Sequence, residues 1–469
     1  MSKKRKVFNE YNALTIENAG SEGKCIARHE GKVIMVDYAV PGDIINAKVY
    51  QIKKRFEFAR IEEIVKPSED RIETFCQHFG TCGGCKWQQM SYEAQLKYKQ
   101  QQVIDAFERL GKFPFPTLEP IIGSVQTKYY RNKVEFSFTD RKWLSNKEDI
   151  GTLTKETNAG LGFHIPGRFD KVFEVETCYL MDPLQDEIRN SIGKFCKEND
   201  YDFFNLYGNT GLMRNLMLRN NSKGEWMLVL SFGCDDEPKR TKLLEHIHNN
   251  FPQITSLLYV INEKLNDTIH DLEVKLFSGN PYLLENLEDL QFKIGPKSFF
   301  QTNTLQTLNL YNEARKMAGL TGKELVYDLY TGVGTIALFV AKMAAKVVGI
   351  EYVPQAIEDA KVNAALNQIT HTHFYAGDMK DLLTNDFIET NGKPDVVITD
   401  PPRAGMHEDV IQQLLLVEPK KIVYVSCNPA TQARDIAMMI EKYEVKKVQA
   451  VDMFPHTHHV ENIALLELR

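Results

Sequence analysis

The spacing of hydrophobic and polar positions changes character along the 469-residue chain and divides it into stretches of different architecture. Up to residue 66, apolar residues come in short runs rich in β-branched and aromatic side chains. Lys32–Asp37, Ile44–Ile52 and residues 56–65 are such runs, and they predict strands. Val40-Pro-Gly-Asp43 separates the first two as a turn, since proline presets φ and glycine accepts positive φ. About five short strands in this length predict an OB-like β-barrel over residues 1–66, a scaffold suited to oligonucleotides. Pro67-Ser-Glu-Asp-Arg71 reads as the linker out of it. Residues 92–110 follow with helical periodicity, stopped by Gly111 and the Pro114/Pro116 pair.

Between residues 125 and 291 strand-like runs alternate with polar loops, as in residues 133–138, Trp226–Phe232 and residues 256–261. That pattern predicts an antiparallel α+β unit. From about residue 322 the rhythm becomes apolar strand, glycine-rich turn, amphipathic helix. Leu325–Leu329, residues 346–350, Val396–Thr399 and Lys421–Ser426 are short runs of the fully buried type, separated by helical stretches. The expected fold is therefore multidomain α/β, with a doubly wound, Rossmann-like domain at the C-terminal end. The expected divisions are 1–66, a central unit of 67–91 and 125–291, a helical stretch at 92–124, and 292–469.

Composition narrows the class. Hydrophobic residues make up 43% and charged residues 26%, ordinary for a globular chain. No run of 18 apolar residues exists, so a membrane span is not expected, and basic Met1-Ser-Lys-Lys-Arg-Lys6 leads into polar sequence rather than a secretory core. A reducing cytoplasm is the expected location. Net charge is −6, so a nucleic-acid role cannot rest on overall basicity. Residues 1–66 nevertheless carry 13 Lys/Arg against 9 Asp/Glu, which suggests an appended module that meets an anionic partner. For the first six residues alone, a solvated basic start explains as much.

Candidate chemistry begins at Asp328-Leu-Tyr-Thr-Gly-Val-Gly-Thr335, where the first buried strand turns into a helix. Gly332 and Gly334 allow a ligand close to the backbone. A dinucleotide site fits less well, because an acidic residue stands four positions before the first glycine and Ala337 occupies the third fingerprint position. A carboxylate there suits the cationic amino-acid end of S-adenosylmethionine better than a pyrophosphate. Glu351, ending the second strand, is placed for the ribose diol, and Asp378, after the third, for the adenine. Asp400-Pro-Pro-Arg403 follows the fourth strand, at the crevice where open α/β sheets bind ligands. Any one of these acids alone could be a helix cap. Together, at successive strand ends, they predict a class I methyltransferase.

The next strand ends in Ser426-Cys-Asn-Pro429, which brings Cys427 to the same crevice as a candidate covalent nucleophile, although a buried core residue is the commoner fate of a cysteine. A thiol suits one reaction in particular. Carbon 5 of uracil is too weak a nucleophile to take a methyl group until a thiolate adds to carbon 6. A base must then remove the carbon 5 proton, and Glu461 is the candidate in the loop that follows Asp452. Amino-group methylation fits less well, because Arg403 stands where an aromatic is expected. Cytosine methylation would want a cysteine beside Asp400-Pro-Pro, and none is there. The neighbouring His456, His458 and His459 lack a regularly spaced fourth ligand for a metal.

Three of the eight cysteines form Cys76-x₅-Cys82-x₂-Cys85, with Gly80, Gly83 and Gly84 between them. Glycines relieve backbone crowding and leave amides free to donate to sulfur. Cys178 is the natural fourth ligand. Spacing alone leaves a [4Fe–4S] cluster and a Cys₄ zinc site both open, although the three-plus-one arrangement leans towards iron–sulfur. Cys25, Cys196 and Cys234 read as packing residues.

These residues resemble the RNA uracil-5-methyltransferases, and within them the branch acting on 23S ribosomal RNA. Over residues 1–66 the chain looks like a TRAM domain, through Val33-Ile-Met-Val36, Val40-Pro-Gly-Asp43 and the Pro67-Ser-Glu-Asp-Arg71 exit. Cys76-Gln-His-Phe-Gly-Thr-Cys-Gly-Gly-Cys85 is similar to the family's [4Fe–4S] loop, and the stretch from Leu161-Gly-Phe163 to Cys178 to the segment that carries its fourth ligand. Phe299-Phe-Gln-Thr-Asn303, Asp400-Pro-Pro-Arg-Ala-Gly405, Val425-Ser-Cys-Asn-Pro-Ala-Thr431 and Asp452-Met-Phe-Pro-His-Thr457 match family signatures. The resemblance implies that Gln301, Tyr330, Glu351 and Asp400, with Thr335 and Asp378, bind S-adenosylmethionine. It implies Cys427 as nucleophile, Glu461 as base, Cys76, Cys82, Cys85 and Cys178 as cluster ligands, and a helix at 92–124 that packs with the catalytic domain. RNA, as 23S rRNA, is the implied partner, with no membrane and no obligate protein partner. The front barrel and cysteine loop set the chain apart from relatives specialised for transfer RNA. A transfer-RNA enzyme and a non-catalytic RNA-binding iron–sulfur protein remain the alternatives, and the second would have no need of Cys427 and Glu461.

Overall fold

The computed structural model describes residues 9–144, 154 and 158–469, so the Lys-rich first six residues lie outside the described ones. The N-terminal sheet has six strands rather than about five. Their order is Glu10–Thr15, Ile44–Ile52, Phe56–Lys66, Lys32–Asp37, Cys25–His29 and Asn18–Ala19. Neighbours run antiparallel except Lys32–Asp37 beside Phe56–Lys66. Alternation along Ile44–Ile52 sends Ile45, Ala47 and Val49 inward, as a period of two requires. Trp87, Met90, Ala94 and Tyr98, all from beyond the barrel, complete its core. The indole N–H of Trp87 donates to the Gly23 carbonyl at 3.1 Å.

Residues 67–71 are not a loose linker. The fully buried Asp43 carboxylate accepts from the Val40 and Ser68 amides and pairs with the Arg71 guanidinium at 2.6 Å. Each carboxylate oxygen is thereby satisfied, which is the condition for burying a charge. Helix Tyr92–Ala106, capped by Ser91 and closed by one π turn at Phe107–Gly111, then joins two cores. Ala94 and Tyr98 close the barrel, whereas Val103, Ala106 and Phe107 enter a core on one face of the C-terminal sheet.

The central sheet has seven strands, in the order Lys275–Gly279, Ile254–Ile261, Trp226–Phe232, Met213–Asn220, Lys133–Thr139, Gly160–Ile165 and Arg168–Glu174. Helices Leu184–Glu198 and Glu237–Asn250 cover one face, with Ile188, Ile192, Leu243 and Ile247 in the shared core. The sheet is not wholly antiparallel. Trp226–Phe232 and Ile254–Ile261 run parallel, because helix Glu237–Asn250 crosses over between them.

Seven strands form the C-terminal sheet, in the order Thr372–Ala376, Lys346–Glu351, Leu325–Leu329, Val396–Thr399, Lys421–Ser426, Glu461–Leu468 and Tyr443–Val451. The first five are parallel, and the last two add an antiparallel hairpin. Apolar cores lie on both faces, which is why these strands read as unbroken hydrophobic runs. The hairpin Leu283–Leu287/Leu290–Ile294 also packs into this core, so a domain boundary at 291/292 cuts through it, and the catalytic unit begins ahead of the hairpin. Strand order reverses beside Leu325–Leu329, and there the carboxyl ends of neighbouring strands open a crevice.

Candidate active site

The crevice is a cleft of about 1240 Å³, lined among others by Gln301, Tyr330, Thr335, Glu351, Asp378, Asp400, Cys427 and Glu461. Residues spread over 160 positions of sequence therefore meet at one sheet edge. Glu351 ends a strand, Tyr330, Asp378, Asp400 and Cys427 lie in the turns after strands, Thr335 opens a helix, Glu461 begins a strand, and Gln301 comes from the loop before helix Thr304–Ala318.

The turn after Leu325–Leu329 is held by Asp328, and here the structure departs from expectation. Asp328 does not line the cleft. One of its oxygens accepts from the Thr331 hydroxyl at 2.5 Å and from the Ala337 amide at 3.0 Å, while the other has no partner. Burial pushes its carboxyl up to about 7. Its hydrogen bonds shape the loop from inside the fold. Tyr330 (φ 64°) and Gly332 (φ 56°) take left-handed conformations, and a Cβ on Gly332 would meet no atom within 4 Å, so this backbone faces open cleft. The Gly332 amide donates to Glu351 at 3.2 Å and the Val353 amide to its other oxygen at 3.0 Å. Glu351 is thus oriented by two backbone donors and keeps lone pairs for a diol. Thr335 shares a 3.2 Å hydrogen bond with Tyr311, and Asp378 caps the short helix Met379–Leu382. Gln301, 7% exposed, sits in a segment fixed by Asn132, whose side chain donates to the Gln301 carbonyl at 3.0 Å. The acidic strand ends and the open glycine turn fit S-adenosylmethionine.

Cys427 directly follows strand Lys421–Ser426 and Glu461 opens the neighbouring antiparallel strand Glu461–Leu468, so the two sit side by side at the cleft. Burial raises the Cys427 thiol to about 11; the Glu461 and Asp400 carboxylates push it further the same way and Arg403 opposes them. Glu461, 4% exposed, rises to about 8 through burial and the Asp400 charge, again against Arg403. Burial takes Asp400 to about 7. One thiol and one acid, Cys427 and Glu461, thus share a single local cation, while Asp400 adds negative charge beside both. Arg403 is the residue that motif reading undervalued, since it was weighed only as a departure from an aromatic. Its loop is pinned beside Cys427: the Asn428 side chain and the Thr431 hydroxyl donate to the Arg403 carbonyl at 3.0 and 3.3 Å. Asn428 and Thr431 both belong to the Ser426-Cys-Asn-Pro turn and its helix, which was the available signal.

A second cavity, of about 680 Å³, contains Cys76, Cys82, Cys85 and Cys178. It shares Thr302, Arg403 and Phe454 with the cleft. Backbone amides of Gly84 and Cys85 donate to Cys82 and that of Leu180 to Cys178. Gly80 and Gly83 have positive φ. Burial raises the thiols of Cys82, Cys85 and Cys178, Cys85 to about 12 and Cys178 to about 11, and neighbouring cysteines add to this. Among the described residues no group of three or more His, Cys, Asp or Glu stands arranged around a single ion. Of the other cysteines, Cys25 and Cys196 are buried, but Cys234 is exposed and is no packing residue.

Strand order, glycine turn and acidic strand ends define a class I, S-adenosylmethionine-dependent methyltransferase. The chain belongs to the RNA uracil-5-methyltransferase family, with a TRAM domain, and is an S-adenosylmethionine-dependent enzyme acting on RNA. Residues 275–469 match the family described as tRNA (Uracil-5-)-methyltransferase, and residues 4–61 match the TRAM domain. An uncharacterized RNA methyltransferase of Bacteroides thetaiotaomicron is 53% identical over 452 residues, 96% of this chain and 100% of that protein. One of Porphyromonas gingivalis is 55% identical over 460 residues, 97% and 99% of the two chains. Among solved structures, the Pyrococcus abyssi tRNA (uracil-54, C5)-methyltransferase in complex with S-adenosyl-L-homocysteine superposes with a TM-score of 0.74 at 27% identity. It covers 96% of this chain and 99% of its own. Among the described residues no helix is long and apolar enough to cross a membrane.

Proposed function

We propose that the enzyme methylates carbon 5 of a specific uridine in 23S rRNA through a covalent adduct on Cys427. The observation that carries this reading is the convergence of Cys427, Glu461 and the acidic strand ends on one cleft. Cys427 Sγ, as thiolate, adds to carbon 6; the C–S bond forms as the 5,6 π bond opens, and the electron pair moves onto the carbon 4 oxygen. Gln301, Tyr330, Thr335, Glu351, Asp378 and Asp400 hold S-adenosylmethionine, which when bound supplies an electrophilic methyl group and a positive charge favouring the ionised forms of Cys427 and Glu461. Glu461 then takes the carbon 5 proton, the 5,6 double bond re-forms, and the thiolate leaves. Because the base must leave its stack to enter the cleft, a looped or single-stranded target is implied.

Cys76, Cys82, Cys85 and Cys178 bind a [4Fe–4S] cluster in this reading. Four thiols around one roomy cavity, with amides aimed at sulfur, support it, since a single zinc would draw its ligands to about 2.3 Å from one point whereas a cluster spreads them. Four iron and four sulfide per chain is the expected content of protein purified without oxygen; one zinc would overturn it.

Transfer RNA is a second reading, favoured by the likeness to the archaeal tRNA enzyme. That enzyme spans nearly all of this chain, so possession of the front barrel does not separate the two targets. Incubating the protein with methyl-labelled donor and unmodified 23S rRNA or tRNA transcripts, then mapping 5-methyluridine by mass spectrometry, decides between them. A protein that labels tRNA alone would refute the ribosomal assignment. Trapping 5-fluorouridine RNA on a residue other than Cys427 would refute the nucleophile.

A further inference from the structure

Helix Tyr92–Ala106 carries a polar stripe that no ligand explains. Tyr92, Gln95, Lys99 and Gln102 recur at steps of three and four, on one helical face. Gln95 and Lys99 have no exposed surface. All four reach the same target, the loop from Asp452 to His458 that leads into Glu461. Lys99 Nζ donates to Asp452 at 2.5 Å and to the Phe454 carbonyl at 3.0 Å. The Tyr92 hydroxyl donates to the other Asp452 oxygen at 2.8 Å. Gln95 accepts from the His456 amide at 2.8 Å, and Gln102 donates to the His458 carbonyl at 3.3 Å.

The other carbonyls of the loop are gripped from elsewhere. Asn303 donates to Met453 at 3.0 Å and the Tyr130 hydroxyl to Pro455 at 3.1 Å. The amides of Lys86 and Trp87, directly after Cys85, donate to the His456 carbonyl at 2.9 and 3.0 Å. His456 itself is left-handed at φ 66°, a conformation that is strained for a non-glycine residue and persists only where surroundings hold it. A fully buried Lys–Asp pair is likewise an expensive way to fasten a loop if packing were the only need.

We infer that Tyr92, Gln95, Lys99 and Gln102 are positioning residues for proton removal, acting through the Asp452–His458 loop to hold Glu461 against the substrate carbon. The inference rests on Glu461 being the base. Because Lys86 and Trp87 close the same clamp, the cysteine loop braces the second half of the reaction rather than the first. Thiolate addition and methyl transfer use Cys427 and the cofactor cleft, whose strand ends the stripe does not touch. Loosening the clamp therefore stalls the enzyme after methylation, with carbon 5 still protonated and the RNA still bonded to sulfur.

The test follows protein-bound methyl label on denaturing gels, using methyl-labelled S-adenosylmethionine and the 23S rRNA or tRNA transcript that the wild-type enzyme methylates. Gln95→Leu and the paired Lys99→Met/Asp452→Asn variant, which removes both charges together, are compared with Glu461→Gln. Gln102→Leu, at the edge of the stripe, serves if the buried changes unfold the protein. Expected are turnover lowered by about 10²-fold, as for small misplacements of catalytic groups, an unchanged KM for S-adenosylmethionine, and accumulation of labelled protein–RNA adduct. Normal turnover, or slow turnover without adduct, in folded stripe variants while Glu461→Gln accumulates it overturns the inference. A Glu461→Gln enzyme that itself shows no adduct overturns the base assignment instead.

Discussion

The two cavities hold the same functional group in opposite company. Cys427 is a lone thiol between carboxylates and one guanidinium. Cys76, Cys82, Cys85 and Cys178 gather around one cavity, with backbone amides donating to Cys82 and Cys178 and the Asp186–Arg189 pair beside Cys178. Burial raises the pKa in both places, so burial alone does not separate a nucleophile from a ligand. What would separate them, in the proposed reading, is the partner available to the charged form: a substrate and a single arginine in the cleft, a shared cluster in the cysteine loop. Arg403 lines both cavities, so the difference can be probed from either side.

The largest effect should come from Cys427→Ala, which is expected to lower methylation by at least about 10⁴-fold, measured as 5-methyluridine formed per enzyme, while RNA still binds. Equal loss on Cys76→Ala with metal content intact would erase the distinction between the two sites. Next, Arg403→Met removes the cation that opposes the rise of both Cys427 and Glu461. Its pH–rate profile should shift to alkaline by about one unit, roughly tenfold in rate at neutral pH. An unshifted profile would deny Arg403 that role.

If the cysteines hold the proposed cluster, Cys85→Ser and Cys178→Ser should lower the melting temperature and iron content together, and activity should fall as the brace on His456 loosens, with labelled protein–RNA adduct left behind. The smallest expected effect is on stability. Asp328 and Asp400, at about 7, and Glu461, at about 8, all bind their protons more tightly when folded. Their contribution is complete below the ordinary carboxylate range and is lost as pH rises through 7 and 8. Glu461→Gln cannot ionise, so its melting temperature should gain steadily on the wild type as pH rises from the ordinary carboxylate range to about 8. A constant difference across that range would mean Glu461 is charged throughout.

Much of the catalytic sheet could be read from the chain, because strands buried on two faces must be apolar throughout and the turns after them must carry glycine or a capping acid. Gln301, Glu351, Asp400, Cys427 and Glu461 meet at one cleft for the same reason: each lies in or beside a strand end or turn. Asp328 escaped correct reading because an acid at a strand end can face either the ligand or its own loop, and only the Thr331 and Ala337 contacts decide which. The stripe on helix Tyr92–Ala106 escaped because Gln and Lys at helical spacing read as a solvated face, and its partners lie some 350 residues away.

Local physics, then, determined the elements and the type of chemistry. Period-two and buried strands, glycine turns, acids at strand ends and a thiol before Asn-Pro are all properties of short stretches. The tertiary structure decided which charges share a cavity, how far burial moves them, and that one polar helix holds the catalytic loop to the cysteine loop. Those outcomes depend on desolvation and on contacts between distant segments, which no short stretch of sequence encodes.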